Sequence, residues 1–355
     1  MNERLLCWTV ALALTAPCAW AQQPPKPEVE LGRVQVQGEG AFAREKKTLA
    51  QLFKAQALFE RFHAMAPDAE LKFKVYARTQ AETTQALELA LVTPKGRQPL
   101  VLDAEDRFTI AREWRDLDED TEVRSRLADG RVTWRPDIRT PGVPASERRL
   151  GDLRLQCRVG FDSGVARGLR GLAALLSFAF EQCEDPEWSP SNFADRPVFA
   201  VTLVQGDRWL VLSEGLLHGL RDSGGKYYDW GFSLRERMFR VPLGDLSWPD
   251  DTRVVLEYWD DPPASPEPGL EDLREAWVQA VRQLAPGTPV AEVLQRAGKA
   301  DDDTKFESGR RLMRHLHVIK FSKDLQQRLE LVTLFGPDDR LLKSTLRRLG
   351  AKQRY

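Results

Sequence analysis

Residues Lys226 to Phe232 read KYYDWGF and follow the pair Gly224-Gly225. Two tyrosines, a tryptophan and an aspartate in a glycine-flanked loop can stack on a sugar or a peptide. Aromatic rings offer a large contact area at low entropy cost, and their polar edges hydrogen-bond. Tyr227, Tyr228, Asp229 and Trp230 are therefore the candidate binding residues. The competing reading is that alternate rings pack into a neighbouring sheet. Trp188, in the loop EDPEWSPSNF, is a weaker case of the same kind.

Catalytic constellations are harder to find. The chain has only four histidines. His315 and His317 stand at i, i+2 on an expected strand, so they share a face. Such a pair holds zinc when a third ligand converges. None is evident, and Arg310, Arg311 and Arg314 lie beside them. His63, in a charged helix, and His218, next to Leu217 and near Leu216, read as packing or surface residues. No G-x-S-x-G elbow, H-E-x-x-H pair or β-lactamase S-x-x-K set occurs. Gly38-Glu39-Gly40 with Ala43 imitates a dinucleotide fingerprint without its βαβ unit. Gly219 to Lys226 imitates a P-loop, but Tyr227 stands where Ser or Thr holds magnesium. The acidic runs Asp116–Glu122 and Asp301–Asp303 lack the EF-hand ligand pattern and read as solvated turns. The expectation is no cofactor, no metal and no nucleotide. An enzyme acting on peptidoglycan or another glycan would need two spatially paired carboxylates. A small-ligand sensor would need a closed apolar pocket.

The cysteines and the N-terminus speak to compartment. Arg4 gives a positive start, Leu5 to Leu14 are apolar, and Ala19-Trp20-Ala21 matches an A-x-A cleavage site. Residues 1–21 are thus the expected signal peptide, cleaved after Ala21. The apolar run is shorter than the ~20 residues a spanning helix needs. Cys18 follows Pro17 rather than a small residue, which argues against lipidation. The expected location is periplasmic or secreted. Cys7 and Cys18 leave with the signal, and Cys157 and Cys183 remain. An even pair in an oxidising compartment reads as a disulfide.

The elements that would carry these groups alternate along the chain. Residues 22–70 are a lead-in with a short strand at Leu31–Gln37 and a helix from Ala43 to Ala66, ended by Pro67. Residues 71–260 are β-rich. LKFKVY (Leu71–Tyr76) alternates cleanly, and further strands are expected at Leu87–Val92, Leu100–Leu102, Arg107–Ile110, Arg131–Trp134 and Leu153–Val159. This spacing suggests a β-sandwich. This region is one domain or two; a second β subdomain would be 197–260, with Val198–Val204, Trp209–Leu212, Glu236–Val241 and Arg253–Trp259. It joins the first, 71–160, through a helix at Gly164–Cys183 that the disulfide ties down. Residues 261–269 form a proline-rich linker. Beyond it come helices Leu270–Leu284 and Pro289–Ala297, with Gly298 as C-cap, and strands Leu312–Phe321, Arg328–Phe335 and Arg340–Leu346.

Lys plus Arg number 52 and Asp plus Glu 53, a near balance that leaves no electrostatic footprint for nucleic acid. The C-terminal stretch, residues 270–355, resembles the BamE/SmpA outer-membrane assembly lipoproteins. The resemblance rests on Gly287-Thr288, Val290, Val293, Leu294, Gly298 and Lys299, and on the closing hairpin LELVTLFGPDDRLLKSTL. It implies two helices before a three-stranded antiparallel sheet. The expected fold is α+β: a sandwich-like N-terminal region with bracing helices, then this small domain. The expected function is non-enzymatic binding of an envelope protein or glycan.

Overall fold

The computed structural model describes residues 46–77, 89–118, 120–125, 132–166, 183–185, 190–212, 214–219, 235–262, 269–320 and 326–349. All belong to one compact unit, Phe42–Tyr355; the other unit, Met1–Ala41, contains none of them. The expected signal peptide, the strand Leu31–Gln37, most of the Gly164–Cys183 helix, Trp188 and Tyr227–Trp230 lie outside the described residues.

The first part runs β1 (Lys46–Thr48), α1 (Leu49–Phe62), β2 (Glu70–Ala77), β3 (Leu89–Thr93), β4 (Gly96–Pro99), β5 (Arg107–Phe108), β6 (Glu122–Ser125) and β7 (Val132–Arg139). Helix α1 starts where Thr48 and Gln51 form a reciprocal capping box. Its Leu49, Leu52 and Ala55 are buried. The strands build two open antiparallel sheets, β1-β6-β3-β4 and β5-β2-β7. Alternation decides what each face does. Phe73 and Val75 of β2 and Trp134 and Ile138 of β7 enter one core with Leu52, Leu91 and Val123. Phe73, Phe108 and Trp134 pack as an aromatic trio with centroids 5.4–6.1 Å apart.

Next come β8 (Glu147–Arg149) and α2 (Leu150–Asp162). The expected strand Leu153–Val159 is the middle of this helix. Leu150, Leu153 and Cys157 lie at helical spacing and pack into a central core, while Leu155 and Val159 pack into the N-terminal one. Two i, i+4 stripes offset by two residues read as strict alternation, which is why the segment looks like a strand. The helix is wedged between two cores rather than lying on one. Gly151 allows this: a Cβ there would collide with the Met65 carbonyl oxygen. The disulfide Cys157–Cys183 is present, with Cα atoms 5.9 Å apart, and its anchor is α2 rather than a strand.

The central part holds β9 (Asn192–Phe193), β10 (Val198–Gln205), β11 (Arg208–Val211), β12 (Met238–Phe239) and β13 (Arg253–Tyr258). They form the sheet β11-β10-β13-β8 and the small pair β12-β9. The expected strand Glu236–Val241 is reduced to the two residues of β12. The N-terminal strands therefore divide among small open sheets braced by α1 and α2, not into a sandwich. The class is α+β, but its layout differs from expectation.

The last part has α3 (Ala276–Arg282), α4 (Val290–Ala297), β14 (Asp302–Lys305), β15 (Arg311–Lys320), β16 (Gln326–Phe335) and β17 (Leu341–Leu349). Gly298, at φ 88°, closes α4. The sheet has four antiparallel strands in chain order, one more than expected. The additional strand, DDTK, has no apolar alternation to announce it. The helices cover one sheet face through Val281, Val293, Met313, Leu331 and Phe335. The other face is also buried: Leu312, Val332 and Leu334 pack on Phe199, Ala200 and Trp259 of the central part. Among the described residues, no helix is long and apolar enough to cross a membrane.

Candidate functional site on a covered sheet face

Strands β2 and β7 pair with Lys72 opposite Asp137, Lys74 opposite Arg135 and Tyr76 opposite Thr133. With Phe73 and Trp134 turned into the core, these residues share the opposite face. A polar sheet face ordinarily meets water. Here the stretch around β9 covers it and sets Asp195 at its centre. Lys74 Nζ donates to Asp195 at 2.6 Å, and both Arg139 terminal nitrogens donate to its two oxygens at 2.8 Å. Arg139 Nε donates to Asp137 at 2.9 Å. Arg107 and Arg148 approach Asp137 at 3.7 and 3.6 Å. Four cations thus surround two carboxylates, and Arg107 is further shared with Asp103.

Burial acts to raise the pKa of Asp195. The Arg139 hydrogen bonds and the charges of Arg139 and Lys74 outweigh it and hold the carboxyl well below the usual range. Burial, then the fields of Asp137 and Asp195, push the Tyr76 hydroxyl strongly upward, so it stays protonated. Tyr258, whose hydroxyl donates to the Ala145 carbonyl, is pushed up to about 12, again chiefly by burial.

At the Tyr76 end of this face lies a cavity of about 30 Å³. Its walls include Tyr76, Arg135, Gln156, Asn192, Phe161 and Phe193, with Cys157 of the disulfide beside them. Tyr76 is 5% exposed, and among the described residues its hydroxyl makes no hydrogen bond. Gln156 is oriented by its amide oxygen, which accepts from Ile138 N at 3.2 Å and Arg148 at 3.1 Å. Its amide nitrogen therefore faces Asn192, 3.4 Å away. Arg135 lies over the Phe193 ring at 4.9 Å, and the Tyr76 and Phe193 rings are 5.4 Å apart. The cavity is rich in donors and walled by rings.

A second locus joins the central part to the C-terminal sheet. The Phe306 ring lies edge-on to His218 and Trp259, at 5.2 and 5.0 Å. His218 sits at φ 62°, a left-handed conformation, and its Nε2 faces the Val198 carbonyl at 2.9 Å. A carbonyl only accepts, so that nitrogen carries the proton. Ser308 Oγ donates to the Glu236 carboxyl, while Arg235 and Arg310 lie over Phe306 and Trp259. Burial raises the Glu236 pKa against the pull of Ser308, Arg310 and Arg237. Gly219 and Arg235 flank the segment that holds Tyr227, Tyr228, Asp229 and Trp230, which itself lies outside the described residues.

The remaining sequence candidates are dispersed. His315 and His317 both face the helices. His315 is 1% exposed, and burial lowers its pKa against the pull of Asp301, the Lys299 backbone and Asp303. His317 stacks on Trp277 at 4.4 Å and meets Glu275 at 3.0 Å. His63 Nε2 meets the Ala69 carbonyl at 3.2 Å. Asp301 accepts from Leu316 N, and Asp303 from Arg311. Among the described residues, no three His, Cys, Asp or Glu side chains gather as metal ligands. Sequence reasoning passed over Lys74, Tyr76, Arg135, Asp137, Arg139 and Asp195. The only signal was the polar half of the LKFKVY alternation. No protein family, curated protein or solved structure matches this chain.

Proposed function

We propose that the chain is an exported envelope protein that works by binding a protein or glycan partner, not by catalysis. The observation that carries this reading is the state of its buried carboxylates. A glycan hydrolase needs one raised, proton-donating carboxyl paired with one free ionised one. Asp195 is saturated by Lys74 and Arg139, and Glu330 is clamped between Arg314 and Arg347 at 3.2 and 2.6 Å. Burial opposes ionisation of Glu330, but the two guanidinium charges overcome it. Glu236 is pushed upward, yet the charges acting on it are Arg310 and Arg237, not a second carboxylate. These groups hold the fold together and leave recognition to surfaces.

The proposed contact residues are Tyr227, Tyr228, Asp229 and Trp230, in the stretch of sequence between Gly219 and Arg235. The signal-like N-terminus supports export, and the BamE/SmpA resemblance of the C-terminal stretch supports an outer-membrane assembly component as the partner. The test is in-cell cross-linking of the mature protein, affinity capture and mass spectrometry, with Tyr228→Ala/Trp230→Ala alongside. One envelope component captured by the parent and lost by the variant is expected. Equal recovery by parent and variant, or release of reducing sugar ends from peptidoglycan by the purified protein, would overturn the reading.

A further inference from the structure

We propose that the cavity between Tyr76, Arg135, Gln156 and Asn192 binds the carboxylate end of a small organic acid. This inference does not rest on the partner-binding proposal.

Size comes first. One water needs ~10–15 Å³ by this measure. A cavity of about 30 Å³ therefore admits two waters, or the two oxygens of a carboxylate. Chemistry comes second. Donors line the cavity: the Arg135 guanidinium, the Gln156 amide nitrogen, which already meets Asn192, and the Tyr76 hydroxyl, which makes no hydrogen bond among the described residues. A hydroxyl that lines a cavity and bonds nothing among the described residues is open to an acceptor placed there. A tyrosine that stays protonated can only help an acceptor by donating to it. A guanidinium fork matches the planar geometry of a carboxylate.

Field comes third. With Arg107 taken up by Asp103 and Glu105, the adjoining network sets Lys74, Arg139 and Arg148 around Asp137 and Asp195, three cations to two carboxylates. The surplus favours an anion over a cation at the neighbouring cavity. Phe161 and Phe193 offer apolar wall for a short aliphatic or aromatic tail.

Propionate is the probe, titrated into the mature, oxidised protein and followed by saturation-transfer NMR. Propionamide, nearly isosteric and neutral, and inorganic phosphate are the comparators. The expected result is saturable propionate binding, with propionamide at least about tenfold weaker, the size of one lost charge-assisted hydrogen bond. Tyr76→Phe removes a hydroxyl that bonds nothing among the described residues. It should leave the circular dichroism and melting unchanged and weaken propionate about tenfold. Arg135→Gln should weaken it at least as much. No saturable propionate signal, propionamide binding as tightly, or an unchanged affinity in Tyr76→Phe would each overturn the assignment. Phosphate binding tighter than propionate would replace the carboxylate with a bulkier oxyanion and refute the class proposed.

Discussion

Asp195→Asn removes one charge and almost no volume, so it tests the covered polar face without opening a cavity. In the parent, Asp195 accepts from Lys74 at 2.6 Å and from Arg139 at 2.8 Å twice. The Lys74 side chain is 9% exposed and Arg139 19%, so both cations would be left poorly solvated. Breaking a buried ion pair costs about 3–5 kcal/mol. Asp195 is itself a quarter exposed, so solvent screens part of that, and about 2–3 kcal/mol is the expected loss at pH 7. The pH dependence supplies a second reading. Burial opposes ionisation of Asp195, but Arg139 and Lys74 prevail, so its folded pKa lies below its unfolded value of ~3.9. Its stabilisation is complete above about pH 5 and fades as pH falls through ~4. At pH 3 the gap between parent and variant should shrink by about 1 kcal/mol. Urea unfolding followed by tryptophan fluorescence at both pH values measures this. A loss under about 0.5 kcal/mol at pH 7, or an equal gap at pH 3, would refute the view that this pairing holds the cover on the sheet.

Phe306 is 5% exposed against His218 and Trp259, so Phe306→Ala should cost about 3–4 kcal/mol, read as a shift of the urea midpoint. Reduction, or Cys157→Ser with Cys183→Ser, releases a crosslink spanning 26 residues and should cost about 3 kcal/mol. The mature parent should show no free thiol on labelling after denaturation. His315 is lowered by burial, with Asp301 and Asp303 opposing that effect, so the folded state resists protonation. Stability should be full above the unfolded histidine value of ~6.5 and decline as pH falls below it. His315→Phe should flatten the stability curve between about pH 7 and 5; an unchanged slope would count against it.

Much of the fold was legible where one face of an element stays wet. Leu49, Leu52 and Ala55 repeat at helical spacing, although the helix begins at the Thr48–Gln51 capping box and not at Ala43, because Lys46–Thr48 pair as a strand. Phe73 and Val75 alternate with lysines, and the strand is where alternation puts it. The reading failed where both faces are buried. In α2, Asp152 and Arg154 are buried along with the leucines: Asp152 accepts from Thr140, and Arg154 reaches the Leu243 and Asp245 carbonyls. No wet face remains to show a period of 3.6. β14 failed for the opposite reason: its side chains are polar, and pairing with Arg311–Arg314 makes it a strand. The cavity was illegible because its groups come from β2, β7, α2 and β9, far apart in sequence and brought together by the cover. Cys157 and Cys183 were legible because an even pair left after the expected signal peptide reads as a disulfide regardless of fold.

The covered face is not the most stable way to close this sheet. Replacing a buried ionic network with well-packed apolar residues is often neutral or stabilising by about 1–4 kcal/mol. Leucines in place of Lys74, Asp137, Arg139 and Asp195 would shut the face just as well. What they could not provide is orientation and potential. The network turns the Gln156 amide nitrogen inward by occupying its oxygen through Arg148. It also leaves more positive than negative charge behind a cavity whose Tyr76 hydroxyl makes no hydrogen bond among the described residues. An apolar face would lose both together. The variants should therefore separate by position along one face. Asp195→Asn, in the middle, acts on stability. Tyr76→Phe, at the end, acts on affinity for a carboxylate and leaves stability alone.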